Sequence, residues 1–331
     1  MLGVEYYVID PEDEYRQVCE AVGGQYIRLS STSPHHINPF DVPAVNGDDG
    51  EAADPLAERL IALQGLLGLM LSDRGSALDQ REKGALDAAL LETYRRAGIS
   101  RDPRTHSRTS PVLRDLHNVL LEQGDQYSLA DRLQRYVDGS LGQVFSSQTS
   151  VDLDRPFVVF NVRDLDPDLR PVGIFLIADY IWSQVRRNRR PRMLLIDEAW
   201  SLMQHEEGAK FLSSMARRAR KYYLGLTTVT QDVEDFLSTP EGHTVLANSS
   251  VQILMRQDSS TIDVVSQTFR LSSGEREFLL ACQKGEALFF ARGNHIALRV
   301  EASPMERTLA TTDAAELVGT ELPEAPGLRG R

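Results

Sequence analysis

Short apolar runs of strand length, separated by segments with helical periodicity, constrain the fold of this chain more than any other feature. Six such runs lie at residues 4–9, 26–29, 157–162, 193–196, 225–230 and 251–255. Helical segments separate several of them, most clearly residues 172–187 and 208–222. Strands that alternate with helices in this way predict an α/β fold whose parallel sheet is covered on both faces.

Two other parts of the chain have different patterns. Residues 286–291 and 295–300, joined by a turn that contains Gly293, predict a C-terminal β-hairpin. Residues 46–150 carry helical periodicity and little strand signal, which predicts an all-α subdomain inserted into the sheet. We therefore divide the chain into an N-terminal part of the core (1–45), the all-α insertion (46–150), the remainder of the core (151–303) and a flexible tail (304–331).

Helix signals inside the insertion place some of its boundaries. Ser110 followed by Pro111 predicts an N-cap with proline at the first helical position. Ser128 and Asp131 have the spacing of a capping box, and Gly139 is the predicted end of that helix. The stretches 46–54 and 100–110 are predicted to be loops.

Composition and charge bound the class of protein. Hydrophobic residues make up 41% of the 331 residues and charged residues 25%, which is typical of a globular chain. Cys19 and Cys282 lie far apart, which favours a reducing compartment and no structural zinc. The longest uncharged apolar stretch, residues 60–72, is shorter than the roughly 20 residues of a spanning helix. We expect a cytoplasmic protein without transmembrane insertion, and a net charge of -12 argues against broad non-specific binding of nucleic acid.

The sequence RMLLIDEAW, residues 192–200, carries the clearest chemical signal. Its apolar residues predict a buried central strand, and the carboxylates of Asp197 and Glu198 follow directly. Ligands of open parallel sheets bind at the carboxyl ends of strands. This is a Walker B pattern, in which the first carboxylate holds the water shell of Mg²⁺ and the second orients the water that attacks the γ-phosphate. The alternative is a helix cap with a second acid at the helix N-terminus.

The next predicted strand ends in Gln231, one helix after the two carboxylates. An amide at this position can reach the γ-phosphate or its attacking water and sense whether the nucleotide is intact. The alternative is an ordinary hydrogen-bonded turn residue. The order of Walker B strand, helix and amide favours the sensor interpretation.

A basic cluster precedes that strand and contains Arg217, Arg218, Arg220 and Lys221. A guanidinium beside a transferring phosphoryl group stabilises the developing charge, and in ring-shaped motors a neighbouring subunit supplies it. The alternative is a solvated helix end whose cations complement the helix dipole. Both interpretations stay open for this cluster.

Two further groups of residues are weaker candidates for function. The basic run at residues 186–192 follows a helix and precedes a buried strand, so we interpret it as a solvated loop rather than a DNA contact. His35 and His36 have no spaced metal-ligand partners and form no Ser/His/Asp arrangement. We therefore predict no metalloenzyme and no hydrolase that acts without nucleotide.

Together these segments resemble the VirB/TrbE/TraC class of type IV secretion and conjugation ATPases. LLIDEAW alone indicates only a P-loop ATPase, whereas INPFD and RKYYLGLTTVTQD are more specific, and the resemblance extends to about residue 303. The motifs that carry it are VIDPEDEY (8–15), the Gly23-Gly24 turn, LSSTSPHHINPFD (29–41), LLIDEAW (194–200), ARRARKYYLGLTTVTQD (216–232) and GEALFF (285–290).

The resemblance implies a RecA-like P-loop NTPase core with an inserted all-α domain, in a protein that uses ATP and Mg²⁺. It implies a hexameric ring that works with other type IV secretion components, peripheral at the bacterial inner membrane, with DNA as a further candidate partner. Residue by residue, Asp197 and Glu198 match the Walker B pair, Gln231 the γ-phosphate sensor, and residues 217–221 the stretch of motif arginines.

One departure from the family pattern is large. The family's Walker A loop is expected upstream of the strand at residues 4–9, and the sequence contains no G-x-x-x-x-G-K-[S/T] run and no Gly-Lys pair. Such a loop provides backbone N–H groups that cradle the phosphates and a lysine that binds the β and γ oxygens. We therefore expect a chain truncated after the Walker A loop that binds ATP weakly and is inactive alone.

Three functions are compatible with these observations. The first is a motor-domain fragment of a type IV secretion ATPase whose complete form hydrolyses ATP. The second is a DNA-translocating coupling protein of the same superfamily, which predicts basic pore loops and transmembrane helices. The third is a non-catalytic module that kept the fold and binds partners.

Overall fold

The computed structural model describes residues 3–43, 54–72, 77–138, 141–153, 155–231 and 233–311. Within these ranges, five parallel strands form one sheet in the order β2-β3-β1-β4-β5. The strands are β1 (Glu5–Asp10), β2 (Gln25–Arg28), β3 (Phe157–Asn161), β4 (Arg192–Ile196) and β5 (Leu224–Thr228). All five fall on predicted runs, and the parallel sheet confirms the predicted α/β class.

A second, antiparallel sheet follows in the chain and has the order β6-β7-β8 across the described residues. Its strands are β6 (Val251–Leu254), β7 (Glu286–Ala291) and β8 (Asn294–Arg299). β7 and β8 form the predicted terminal hairpin, with Gly293 in the turn at a φ of +81°, a backbone region that glycine occupies without steric cost.

Helices connect and cover these strands. Before β3 they are α1 (Arg16–Ala21), α2 (Pro55–Leu71), α3 (Gln80–Arg96), α4 (Leu113–Glu122), α5 (Leu129–Val137) and α6 (Gly142–Phe145). After β3 they are α7 (Arg170–Arg187), α8 (Trp200–Met203), α9 (Glu206–Arg218), α10 (Val233–Leu237), α11 (Pro240–Asn248), α12 (Ile262–Phe269), α13 (Ser273–Ala281) and α14 (Pro304–Ala310). Short 3₁₀ turns lie at Pro103–Thr105, Pro167–Leu169 and Ala219–Tyr222.

The segment between β2 and β3 contains helices and no strand in its described residues. Its helices α2 to α6 share one large hydrophobic cluster with the sheet and α7. The division at residues 46 and 150 stays a prediction, because the two parts share this core. Residues 46–53 and Gly139 lie outside the described residues.

One predicted helix start is wrong, and at a second the predicted N-cap residue is right but its predicted capping hydrogen bond is missing. Helix α4 begins at Leu113 with Val112 as its N-cap, so Pro111 precedes the helix rather than opening it. Ser128 is the N-cap of α5, but its left-handed backbone (φ +55°) leaves its side chain without a capping hydrogen bond. The carboxylate of Asp125 accepts from the N–H of Ala130 instead, at 2.5 Å. The predicted flexible tail also begins with a helix, α14, and residues 312–331 lie outside the described ranges.

The loop after β2, which contains the INPFD motif, joins the core to the helices of the insertion. The side-chain amide of Asn38 donates to the carbonyl oxygen of Pro111 at 2.9 Å, and Tyr94 on α3 donates to the carbonyl of Phe40 at 2.7 Å. Arg59 on α2 donates to the carbonyl of Pro39 at 2.8 Å. These bonds satisfy buried backbone acceptors and fix the path of the chain between its two parts.

Candidate functional site

The carboxyl ends of β1, β4 and β5 meet at one edge of the sheet. Ile9, Ile196 and Thr228 lie in register on the three adjacent strands. The chain therefore places Asp10, the last residue of β1, beside Asp197, which directly follows β4. This edge is where open parallel sheets bind ligands.

Glu198 has a backbone conformation that few non-glycine residues adopt. Its φ is +49°, in the left-handed region, which is uncommon for a residue with a Cβ and concentrates at functional sites. Its N–H donates to Oδ1 of Asp197 at 2.9 Å, and its carbonyl accepts from the N–H of Ser201 at 3.0 Å. These bonds hold the turn between β4 and α8 and direct the side chain out of the sheet edge.

Both carboxylate oxygens of Glu198 accept a hydrogen bond from a side chain. The side-chain amide of Gln231 donates to Oε1, and the indole N–H of Trp200 donates to Oε2. The structure thus brings together Glu198 and Gln231, which the sequence suggested separately. Trp200 was not among the predicted site residues, although it stands two positions after Glu198 in the same motif.

Asp197 is buried among other acids. Its pKa is raised to about 6, chiefly by burial; the nearby charges of Glu198 and Glu14 also raise the pKa, while the hydrogen bond from the N–H of Glu198 lowers it. Tyr15 lies close to Asp197: burial raises the pKa of Tyr15, and the charge of Asp197 raises it further. Negative charge at this edge is therefore costly without a cation.

Asp10 completes this group of acids at the end of β1. Its carboxylate accepts from the N–H groups of Glu14 and Tyr15, both at 3.0 Å, and so fixes the loop that carries Tyr15. Burial raises the pKa of Asp10, while these two hydrogen bonds lower it. Sequence reasoning treated Asp10 and Tyr15 only as the end of a strand and part of a motif, because their contact with the Asp197 region depends on the strand order.

This end of the sheet offers a metal ion only a few direct protein ligands. The described residues contain no group of three or more His, Cys, Asp or Glu side chains arranged around a common point. Within the same ranges, no arginine or lysine forms a salt bridge with Asp10, Asp197 or Glu198. Asp10 and Asp197, whose carboxyl pKa values are raised, suit Mg²⁺, which keeps several of its waters and takes one or two carboxylates.

An open cleft with a volume of about 1540 Å³ borders Glu198 and Gln231. It lies between the sheet edge and the insertion, because α2 and α5 line its far side. His205 also lines it, and burial lowers the pKa of this imidazole. Residues of both sides include Met70, Arg132, Tyr136, Arg170, Ile174, Trp200, Gln204 and Arg256.

The predicted basic cluster lies at the amino ends of the parallel strands, on the side of the sheet away from Glu198. Arg217 and Arg218 end α9 and Arg220 precedes β5, whereas Glu198 follows the carboxyl end of β4. The five residues of β4 span about 16 Å at roughly 3.3 Å per residue, so these side chains do not meet Glu198 within one chain. Arg217 donates to Thr244 at 3.3 Å, and the guanidinium of Arg218 lies over the Trp182 ring at 5.8 Å.

In comparison with known proteins, the chain matches the family model of the TraG P-loop domain over residues 2–317. Protein TraC of Escherichia coli (strain K12) is 27% identical over 285 residues, which cover 79% of this chain and 30% of TraC. The chain thus spans about a third of the length of this curated relative. No helix within the described ranges is long and apolar enough to cross a membrane.

Two solved structures resemble the fold to different degrees. The structure of VirB4 of Thermoanaerobacter pseudethanolicus has a TM-score of 0.81 at 30% identity, covering 92% of this chain and 83% of that one. Plasmid coupling protein TrwB in complex with the non-hydrolysable ATP analogue ADPNP has a TM-score of 0.50 at 13% identity, covering 90% of this chain and 85% of TrwB. The second likeness concerns the fold alone.

Proposed function

Because this chain belongs to the TraG P-loop domain family, we propose that it is motor-domain sequence of a type IV secretion ATPase. The complete protein would couple ATP hydrolysis to conjugative transfer or to assembly of the secretion channel. The observation that supports this most is Glu198, held in a left-handed turn at the carboxyl edge with its carboxylate bound to Gln231. A simple helix cap needs neither this backbone conformation nor a polar partner from the segment after β5.

The roles of the residues follow from their positions. Asp197, directly at the end of β4, would hold Mg²⁺ through its water shell, and bound Mg²⁺ would supply positive charge to the phosphates. Glu198 would accept a hydrogen bond from the attacking water and orient it. Gln231, in contact with Glu198, would exchange that contact for one with the γ-phosphate or its water.

In the complete protein, residues outside these 331 would supply the phosphate cradle, since the sequence has no Gly-Lys pair. Within the described residues, β5 is an edge strand of the parallel sheet. An edge strand offers unpaired backbone groups that a further strand can join. We place the strand of the phosphate-binding loop there, next to Gln231.

The basic residues at the amino ends of the strands fit a role at the interface between two copies of the chain. Arg217, Arg218 and Arg220 lie too far from Glu198 to act on the same nucleotide, so one of this cluster would serve the site of a neighbouring copy in a hexameric ring. The partners would be other type IV secretion components, at the cytoplasmic face of the inner membrane. DNA stays a further candidate partner.

A DNA-translocating coupling protein is the second candidate function. Plasmid coupling protein TrwB shares the fold at a TM-score of 0.50, well below the 0.81 of VirB4. This difference favours the VirB4-like function for the present chain. A non-catalytic module is disfavoured by the arrangement of Glu198 and Gln231.

Equilibrium binding of Mg²⁺-ATP to the complete protein distinguishes the role of Asp197 from that of Glu198. Asp197→Asn should weaken Mg²⁺-ATP binding, because it removes a negative charge beside the metal's water shell. Glu198→Gln should leave that affinity within about threefold of the parent, a difference of less than about 1 kcal/mol. If both variants bound Mg²⁺-ATP as the parent does, Asp197 would not hold the metal and the proposal for this edge would fail.

A further inference from the structure

Trp200 contacts the carboxylate of Glu198 through its indole N–H, and no sequence motif assigns it a role. It is the first residue of α8, so the start of that helix fixes the direction of its side chain. The two carboxylate oxygens of Glu198 divide between Trp200 and Gln231. Trp200 and Gln231 therefore hold this carboxylate from two different elements of the fold.

Packing alone does not account for the position of Trp200. Its helix neighbours Leu202 and Met203 are 0% and 3% exposed and serve the core. Trp200 is half-buried and lines the cleft beside Glu198. A ring that is partly in the cleft, with its polar end on an acid, combines an apolar wall with a fixed donor.

The chemistry of the indole suits a group that orients a base without competing with it. An indole N–H donates one hydrogen bond, accepts none and does not take up a proton near neutral pH. A carboxylate has about four acceptor sites, so the bonds from Trp200 and Gln231 leave sites on both oxygens for water. The hydrogen bond from Gln231 can give way to one from another donor, while the hydrogen bond from Trp200 keeps the Glu198 carboxylate in place.

We propose that Trp200 is a positioning residue that holds the Glu198 carboxylate toward the cleft for the attacking water. This inference rests on the proposed ATPase function for its catalytic consequence, but the contact itself exists in the 331-residue chain. It predicts that loss of the indole N–H impairs turnover more than nucleotide binding.

The contact is tested first in the chain itself, without nucleotide. The sequence has two tryptophans, so a ¹⁵N spectrum shows two indole signals, and Trp182→Phe identifies which one is Trp200. Glu198→Ala should move the Trp200 signal and speed its hydrogen exchange on the order of tenfold, the effect of losing a charge-assisted hydrogen bond. The Trp182 signal should stay unchanged. An unchanged Trp200 signal in Glu198→Ala would overturn the inference.

Turnover of the complete protein tests the consequence. Trp200→Phe keeps an aromatic ring and removes the donor, and should lower kcat about 10- to 100-fold while KM for ATP changes less than about threefold. Met203→Leu, a similar-volume change on the same helix, should keep kcat within about twofold. If Trp200→Phe kept the parent kcat while Glu198→Gln abolished it, the positioning role would be wrong and the proposed function would stand. If Glu198→Gln kept the parent kcat, the proposed function itself would fail.

Discussion

Burial of Asp197 disfavours the ionised carboxylate, and this should make the free energy of unfolding depend on pH. Its pKa is about 6 in the folded chain, against 3.8 for an ordinary aspartate. Above about pH 6 the folded chain carries an unfavourable charge that costs about 1 to 3 kcal/mol relative to a neutral side chain. Below about pH 4 the carboxyl is neutral in both folded and unfolded states, so this cost disappears.

Asp197→Asn should therefore stabilise the chain in a pH-dependent way. We expect its free energy of unfolding to exceed that of the parent by about 1 to 3 kcal/mol at pH 7, with the gain fading between about pH 6 and pH 4. Urea unfolding of both proteins at several pH values measures this difference. A gain that stayed constant down to pH 4, or a loss at pH 7, would contradict the assigned burial and charge of Asp197.

Sequence could identify Asp197, Glu198 and Gln231 because each follows a strand, and the carboxyl ends of parallel strands share one edge. It could not identify Trp200 or Tyr15 as part of the same site. The contact of Trp200 depends on where α8 begins, and that of Tyr15 on β1 being the neighbour of β4. Neither the helix start nor the strand order is encoded in a local pattern.

At the scale of elements, one buried ion pair ties the insertion to the core. Nη1 of Arg59 on α2 lies 2.6 Å from Oδ2 of Asp179 on α7, and both side chains are almost fully buried. The same guanidinium nitrogen also donates to the carbonyl of Pro39 in the loop after β2. Removal of one partner from such a pair leaves a buried charge uncompensated.

Asp179→Ala should lower the free energy of unfolding by about 3 to 5 kcal/mol. Glu122→Ala, which breaks an exposed pair with Arg96, is the matched control and should cost at most about 1 kcal/mol. The double variant Arg59→Met/Asp179→Leu should recover part of the loss, because apolar side chains need no charge partner, although the carbonyl of Pro39 loses its donor. Urea unfolding measures all three, and equal costs for Asp179→Ala and Glu122→Ala would refute this account of the pair.

The strands could be predicted from sequence better than the helix starts. Residues of β1 and β3 form continuous apolar runs because both faces of the sheet are covered, and such runs are visible without a structure. Helix starts depend on single backbone conformations. At Ser128 the left-handed backbone removes the expected cap, and Asp125, three residues earlier, replaces it.

At the scale of the whole molecule, the sequence contains no phosphate-binding motif, and this should weaken the affinity of the chain for nucleotide. We expect the 331-residue chain to bind Mg²⁺-ATP with a Kd weaker than about 1 mM, a binding free energy of no more than about 4 kcal/mol. The acids at the sheet edge repel phosphates unless other residues supply the cradle and Mg²⁺. Calorimetry with Mg²⁺-ATP measures this, and micromolar affinity would mean that the chain holds phosphates by itself.

The central claim, that Glu198 orients the attacking water, is tested most directly by phosphate release from the complete protein. Glu198→Gln preserves the size of the side chain and removes its charge, so the steady-state rate should fall on the order of 10²- to 10⁴-fold, the usual effect of losing a positioned base. A variant that kept more than about a tenth of the parent rate, a loss well short of that range, would contradict the claim. Asp197 and Glu198 would then be a helix cap at the end of a buried strand.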